Sequence, residues 1–369
     1  MIANLTTELS NRIKSTSSQE SHSFYRMSNS RDCEALEILL RENPGCAVVD
    51  EIEGQLKDLI KLENPSSSLN EKEYQDKISS KLNGRNLNEF GVWVYYPWKN
   101  ILVHLLDEED FIRVRTIRNA YKISPEEQAE LRNKKIGVVG LSVGQSAVMA
   151  LAMERIGGEL RIADFDNLEL SNMNRIRAGV HELGLLKGEI VKREIAEIDP
   201  YLKVVFYEKG ITNETIDDFL KSDGGIDLLV EECDSSDVKI KLRKKCASMG
   251  IPVVMDTSDR TILDIERFDL DREYPILHGL VSKELVDLEE FTPEQKREVL
   301  FQCIDLSKVS ERGRLSLGEI GKTITTWPQL ATDVIIGGAI VAMAARMILL
   351  KQGIKSSRTY VDVPSIISK

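Results

Sequence analysis

The sequence is poor in cysteine, and its five cysteines (Cys33, Cys46, Cys233, Cys246 and Cys303) form no C-x-x-C pair. That scatter argues against a structural zinc site, whose thiolates come in close pairs, and against the disulfide framework of a small secreted domain. No zinc is expected, and a reducing cytoplasm fits best. Basic charge is also short. Against 60 Asp and Glu stand 49 Lys and Arg, a net charge of −11, which disfavours broad attraction to phosphate backbones and makes nucleic acid a poor first partner. Long apolar runs are missing too. The longest, "VIIGGAIVAMAA" at 334–345, is bounded by Asp333 and Arg346 and falls short of the ~20 residues a bilayer-spanning helix needs. The N-terminus has no apolar core of a signal peptide. No membrane segment is expected.

What is present is a composition of 42% hydrophobic and 30% charged residues over 369 positions, enough for two or three globular domains. Residues 1–30 are polar and Ser-rich and are read as a disordered tail, because they offer little apolar surface to offset ordering entropy. Over 31–112, "CEALEILLREN" and "VVDEIEGQLKDLIKLEN" carry apolar residues at helical spacing. "FGVWVYYPW" and "NILVHLL" then read as hairpin strands, giving a small α+β accessory region. From 113 to 369 the texture changes. Apolar strands "KIGVVGL", "ELRIADFD", "KVVFYE", "IDLLVEECD" and "IPVVMDTS" alternate with helical segments. The pattern predicts an α/β fold, Rossmann-like and doubly wound, whose mostly parallel sheet binds ligands at the carboxyl ends of its strands. An acidic insertion at 257–330, on the substrate side, precedes a closing apolar helix.

The motifs of interest fall at those strand ends. The first strand runs into Gly140-Leu141-Ser142-Val143-Gly144-Gln145, a turn into a helix whose backbone N–H groups suit a phosphate. Ser142 and Gln145 stand where G-x-G-x-x-G has its second and third glycines. Asp164, 24 residues after Gly140, ends the next strand, where a carboxylate can accept from ribose hydroxyls. These two features alone fit an NAD(P)-binding oxidoreductase equally well. Asn172 and Arg175, 8 and 11 residues past Asp164, and Lys187 in "GLLK" add amide donors and fixed positive charge. Breaking an α–β phosphate bond needs groups of that kind. Asp234, at the end of "LVEECD", suits Mg²⁺, a hard cation that takes one or two carboxylates with phosphate oxygens and water; it reads equally as a helix N-cap.

Other signals are bland. "GEIGKTIT" at 318–325 mimics a phosphate loop, but Ser316 stands where that spacing needs glycine. His104 reads as a sheet residue, His181 as a solvated loop residue, and Cys303 as packing, so no thioester step is expected.

Taken together, "ADFDNLELSNMNR", the following G-x-x-K, "EECD" and "IIGGAIVAMAARMILL" resemble the ThiF/MoeB superfamily of ATP-dependent adenylyltransferases, which includes ubiquitin-activating enzymes, over roughly 113–350. The resemblance implies ATP and Mg²⁺ as cofactors, with Asp164 on the ribose, Asn172, Arg175 and Lys187 on the phosphates, Gly140, Ser142 and Gly144 in the nucleotide-binding turn, and Asp234 on the metal. "RTIRNAYK" is similar to the family's R-x-x-R segment, so Arg118, with Arg115 as the alternative, would reach the nucleotide of a neighbouring subunit in a homodimer. Arg175, Lys187 and Arg118 would then be the catalytic groups. The implied reaction is attack of a carboxylate on the α-phosphate, giving an acyl adenylate and pyrophosphate. A ubiquitin-like C-terminus, a peptide or a small acid could each supply that carboxylate. The residues ahead are similar to the N-terminal extension of a bacterial ThiF-like subset, some members of which carry a nitroreductase-like domain downstream. A noncatalytic nucleotide-binding scaffold is the remaining alternative.

Overall fold

The computed structural model describes residues 21–304 and 307–368. They form two compact units that meet between Pro125 and Glu126, past the break expected at 112. Of the stretch read as a disordered tail, residues 1–20 lie outside the described residues, and Ser23–Tyr25 already form a strand.

In the first unit, β1 (Ser23–Tyr25), β2 (Ala47–Asp50), β3 (Val92–Tyr96) and β4 (Ile101–Leu105) form one sheet in the order β1-β3-β4-β2. The β3–β4 hairpin is antiparallel, as the sequence predicts, whereas β2 pairs in parallel with β4. Val48, Val49 and Asp50 therefore belong to a strand and not to the helix that their apolar spacing suggests. The helices are α1 (Ser30–Glu42), α2 (Ile52–Glu63), α3 (Glu71–Leu82) and α4 (Glu108–Thr116). Ile52, Leu56 and Ile60 recur at one-turn intervals on α2 and pack with Ile78, Phe90 and Leu106. His104 is a sheet residue: it is buried in β4, with Nδ1 2.9 Å from Asp50 Oδ1 and its ring stacked 4.1 Å from that of Trp93.

The second unit follows α5 (Pro125–Leu131) with alternating strands and helices: β5 (Lys135–Val139), α6 (Gly144–Glu154), β6 (Glu159–Ala163), α7 (Lys187–Ile198), β7 (Lys203–Tyr207), α8 (Ile216–Lys221), β8 (Leu228–Glu231), α9 (Ser236–Met249) and β9 (Val253–Thr257). Strands β9-β8-β5-β6-β7 are parallel neighbours. Two further strands, β10 (Ile262–Glu266) and β11 (Ser357–Tyr360), extend the β9 edge antiparallel. Neither was foreseen, since β10 lies inside the acidic insertion and β11 after the closing helix. The insertion also holds three short helices, α10 (Lys283–Val286), α11 (Pro293–Cys303) and α12 (Glu311–Leu317). Cys303 packs there with Ile240, Leu277 and Val299.

The central strands are apolar throughout because helices cover both faces. Val139, Phe219, Leu229, Leu242, Val253 and Phe268 share one core. Fully burying each such side chain is worth roughly 1.5–3 kcal/mol. The closing helix α13 (Ala331–Leu349) packs on α6 and β9. At 19 residues it is longer than the apolar run at 334–345 and, by length and composition alone, long enough to cross a membrane, contrary to the expectation from that run; half of it is buried inside the protein. Gly338 sets its distance from α6, since a Cβ there would lie 2.4 Å from that of Ser146. The chain ends in α14 (Val363–Ile367). From β5 the chain steps outward to β6 and β7, then returns to β8 on the other side. That reversal opens a crevice at the carboxyl ends of β5 and β8.

Candidate functional site

The turn after β5 is shaped by what lies behind it. Gly140 has φ +88°, and a Cβ on it would stand 2.6 Å from the Glu232 carbonyl oxygen, so glycine alone lets this turn lie against the end of β8. Helix α6 starts at Gly144 with no side-chain cap, leaving the first N–H groups without that partner at the positive end of the helix dipole. Asp164, just past β6, faces the turn. Its Oδ2 accepts from the Leu141 N–H at 2.6 Å and its Oδ1 from the Asp166 N–H at 2.8 Å. Burial pushes the Asp164 carboxyl up, and those two N–H bonds and the Lys187 ammonium partly offset the rise.

The loop from β6 to α7 stands on a small core of its own, Leu168, Ile176 and Ile190. Gln145 fastens it: its Nε2 donates to the Arg177 carbonyl at 2.8 Å, and its Oε1 accepts from the Arg177 N–H at 2.7 Å. Arg175 Nε donates to Ser142 Oγ at 3.1 Å. Both departures from G-x-G-x-x-G are thus ties between the turn and this loop. Asn172 is half-buried, its Oδ1 accepting from the Glu169 N–H at 3.0 Å, and Asn174 Nδ2 donates to the Gln329 carbonyl at 2.7 Å. Lys187 opens α7 with its ammonium nearly buried, 2.8 Å from Asp166 Oδ2.

The third side of the crevice is the end of β8. Glu231 is fully buried between Lys239 and Arg243. Glu232 accepts from the Asp256 N–H at 2.9 Å, and both Asp256 carboxyl oxygens are buried with no hydrogen-bond partner among the described residues. Gly337 on α13 abuts that carboxyl, since a Cβ there would lie 2.0 Å from Asp256 Oδ2. Asp234 is exposed, and α9 takes Ser235 as its N-cap residue, which removes the capping reading of Asp234. Burial lowers the Arg175 guanidinium, and the Asp234 carboxylate partly offsets this. No group of three His, Cys, Asp or Glu suited to a metal occurs among the described residues. A single exposed carboxylate beside a phosphate-type turn is nonetheless the donor set that Mg²⁺ shares with phosphate oxygens and water.

Gly140, Ser142, Asp164, Asn172, Arg175 and Asp234 lie on the turns and loops that leave β5, β6 and β8, and Gly144 and Lys187 are the first residues of the helices that follow, α6 and α7. Arg115 and Arg118 belong to the first unit, in the last turn of α4 and the 3-10 turn after it, and Arg118 is exposed. Sequence reasoning missed the holding role of Gln145, the Asp166 partner of Lys187, and the Glu232–Asp256 pair. The first could have been read from its place in the broken glycine motif. The "GEIGKTIT" turn closes on itself, Lys322 Nζ donating to the Gly318 carbonyl at 2.7 Å.

Residues 115–361 match the model of the ThiF family. An uncharacterised protein, MT1398 of Mycobacterium tuberculosis (strain CDC 1551 / Oshkosh), is 41% identical over 286 residues, 77% of this chain and 39% of that protein. The tRNA threonylcarbamoyladenosine dehydratase of Bacillus subtilis (strain 168) is 30% identical over 155 residues, 42% of this chain and 60% of that enzyme. The chain thus spans less than two thirds of the length of either relative. The crystal structure of the E. coli tRNA N6-threonylcarbamoyladenosine dehydratase, TcdA, covers 65% of this chain at 19% identity, with a TM-score of 0.47. With the family model spanning both the R-x-x-R segment and every strand of the second sheet, this chain belongs to the ThiF family.

Proposed function

We propose that the chain is an adenylyltransferase that uses Mg-ATP to activate a carboxylate. One observation carries the reading: Arg175 bonds to the glycine turn through Ser142 while standing in the field of Asp234. A fixed cation, the uncapped start of α6 and a metal-type carboxylate therefore converge where a triphosphate would lie. An oxygen of the substrate carboxylate attacks the α-phosphorus, the bond to the bridging oxygen breaks, and pyrophosphate leaves with that electron pair. Arg175 and the start of α6 neutralise the developing charge, Lys187 is held in place by Asp166, and Asp164 takes the ribose hydroxyls. Mg²⁺ held by Asp234 and phosphate oxygens would add charge neutralisation. No protein nucleophile is needed. A ubiquitin-like C-terminus, a peptide or a small acid all fit this chemistry.

Titration calorimetry with Mg-ATP, NAD⁺ and NADPH tests the reading. Binding of Mg-ATP alone, followed by carboxylate-dependent pyrophosphate exchange, supports it; binding of a nicotinamide cofactor overturns it. The reading extends to a homodimer in which the exposed Arg118 of one subunit completes the site of the other. Arg118→Ala and Arg175→Ala subunits should then recover part of the lost exchange activity when mixed. No recovery in heterodimers shown to form removes the trans role.

A further inference from the structure

We propose that Asn174 is a positioning residue that couples residues 310–329, part of the insertion, to Arg175. This rests on the nucleotide reading above and adds a linkage to it. The segment begins on one side of the crevice and ends on the other. Past β9, the Asp259 carboxylate accepts from the Ser310 N–H at 2.9 Å and from its hydroxyl at 2.6 Å, and Arg260 Nη1 donates to the Lys308 carbonyl at 3.0 Å. Past β6, Asn174 Nδ2 donates to the Gln329 carbonyl at 2.7 Å. Strands β8 and β5 lie between those two ties. From 311 to 328 only Gly313 is buried, so the segment depends on its ends more than on packing.

The Asn174 amide is engaged at both atoms. While Nδ2 donates to Gln329, Oδ1 accepts from Arg175 Nη1 at 3.0 Å. Only one orientation of the amide does both, because a guanidinium offers donors alone and a carbonyl oxygen only accepts. Arg175 is held to the glycine turn through Nε, and its Nη2 has no hydrogen-bond partner among the described residues. That nitrogen is left for a phosphate oxygen.

A phosphate bound there holds the guanidinium still, and a fixed cation polarises the Asn174 amide and strengthens its bond to Gln329. The linkage runs both ways: a segment seated on Asn174 holds Arg175 ready for the phosphate. Substrate-side chain and phosphate-side cation are thus joined through one side chain.

Trypsin reads this coupling without a known carboxylate substrate, because Arg312, Arg314 and Lys322 are exposed sites within the segment. Cleavage there is timed in the 369-residue chain with and without Mg-ATP, as wild type, Asn174→Ala and Asn174→Asp, each at a nucleotide concentration that calorimetry shows to be saturating. Wild type should be cut about fivefold more slowly with Mg-ATP, and both variants should lose that ratio. Asn174→Asp keeps an acceptor for Arg175 and loses the donor to Gln329, so its loss assigns the effect to the tie with the segment. A ratio near one in wild type overturns the coupling, as does a wild-type ratio in either variant. Faster cleavage by the same factor with and without Mg-ATP also overturns it, because Asn174 would then hold the segment and nothing more. If wild type binds no Mg-ATP, the adenylyltransferase reading itself fails.

Discussion

Glu231 and Glu232 are adjacent at the end of β8 and both are buried, but the chain treats them in opposite ways. The Glu231 side chain meets two cations: Lys239 Nζ lies 3.0 Å from Oε1 and Arg243 Nη1 2.5 Å from Oε2, while Arg243 Nε reaches Glu266 Oε2 at 2.5 Å. Burial alone would push the Glu231 carboxyl up, but Lys239 and Arg243 more than offset it and bring it down to about 2. Glu232 lies beside the Asp256 carboxyl. Burial first, then the Asp256 charge, raises it. Asp256 is itself pushed up to about 7 by burial, a rise that the Lys239 ammonium partly offsets. Two residues further, Asp234 is left in solvent. Successive side chains of a strand point to opposite faces, so one step along the sequence moves a carboxylate from an ion-paired environment to one shared with a second carboxyl. Electrostatic fate here is set by face, and composition alone would not reveal it.

The contrast can be broken from its strongest side first. Arg243→Met leaves Glu231 and Glu266 buried with one cation fewer and should cost about 3–5 kcal/mol, read as a lowered urea midpoint. A loss below about 1 kcal/mol would show that Lys239 alone satisfies the network.

The second test separates the two carboxylates by the sign of their pH dependence. Between about 4 and 7 the folded chain keeps protons on the Glu232–Asp256 pair that the unfolded chain has released, so the pair makes stability fall as pH rises through that window. Glu231 works the other way, its contribution present above the ordinary value of 4.5 and lost as pH falls toward 2. Asp256→Asn should flatten the falling limb by up to ~1.4 kcal/mol per pH unit, with the acid limb unmoved, in urea midpoints measured from pH 4 to 8. A limb of unchanged slope would mean that Asp256 is not its source.

The smallest stability effect is expected at Asp234→Ala, within about 0.5 kcal/mol as for an exposed residue without packing. On the proposed function the same change should abolish magnesium-dependent pyrophosphate exchange. Retained exchange would remove Asp234 from the metal site, and a large loss of stability would show that it belongs to the buried network.

Much of this architecture was legible in the sequence. The five parallel strands announce themselves as apolar runs, because a sheet covered on both faces tolerates little else, and the residues chosen for the nucleotide site in the second unit lie on the turns and loops that leave β5, β6 and β8 or at the start of the helices that follow. What escaped notice depends on pairing across long separations. β10 is acidic at Asp264 and Glu266, and reads as insertion until Arg358 and Arg243 are seen to neutralise those two residues. Val48 and Val49 sit at helical spacing ahead of α2 and become a strand only because β4, some fifty positions later, offers an edge. Asp256 looks like any strand-end acid until Glu232 and Gly337 close around it.

The two broken positions of the glycine motif carry a lesson for anyone redesigning this turn. An engineer repairing the motif toward its consensus would write Ser142→Gly and Gln145→Gly. The first removes the hydroxyl that receives Arg175, and the second removes the amide that grips Arg177 on both sides. Each repair would make the turn more typical and the loop less anchored, so the departures and the loop have to be transplanted together or left alone.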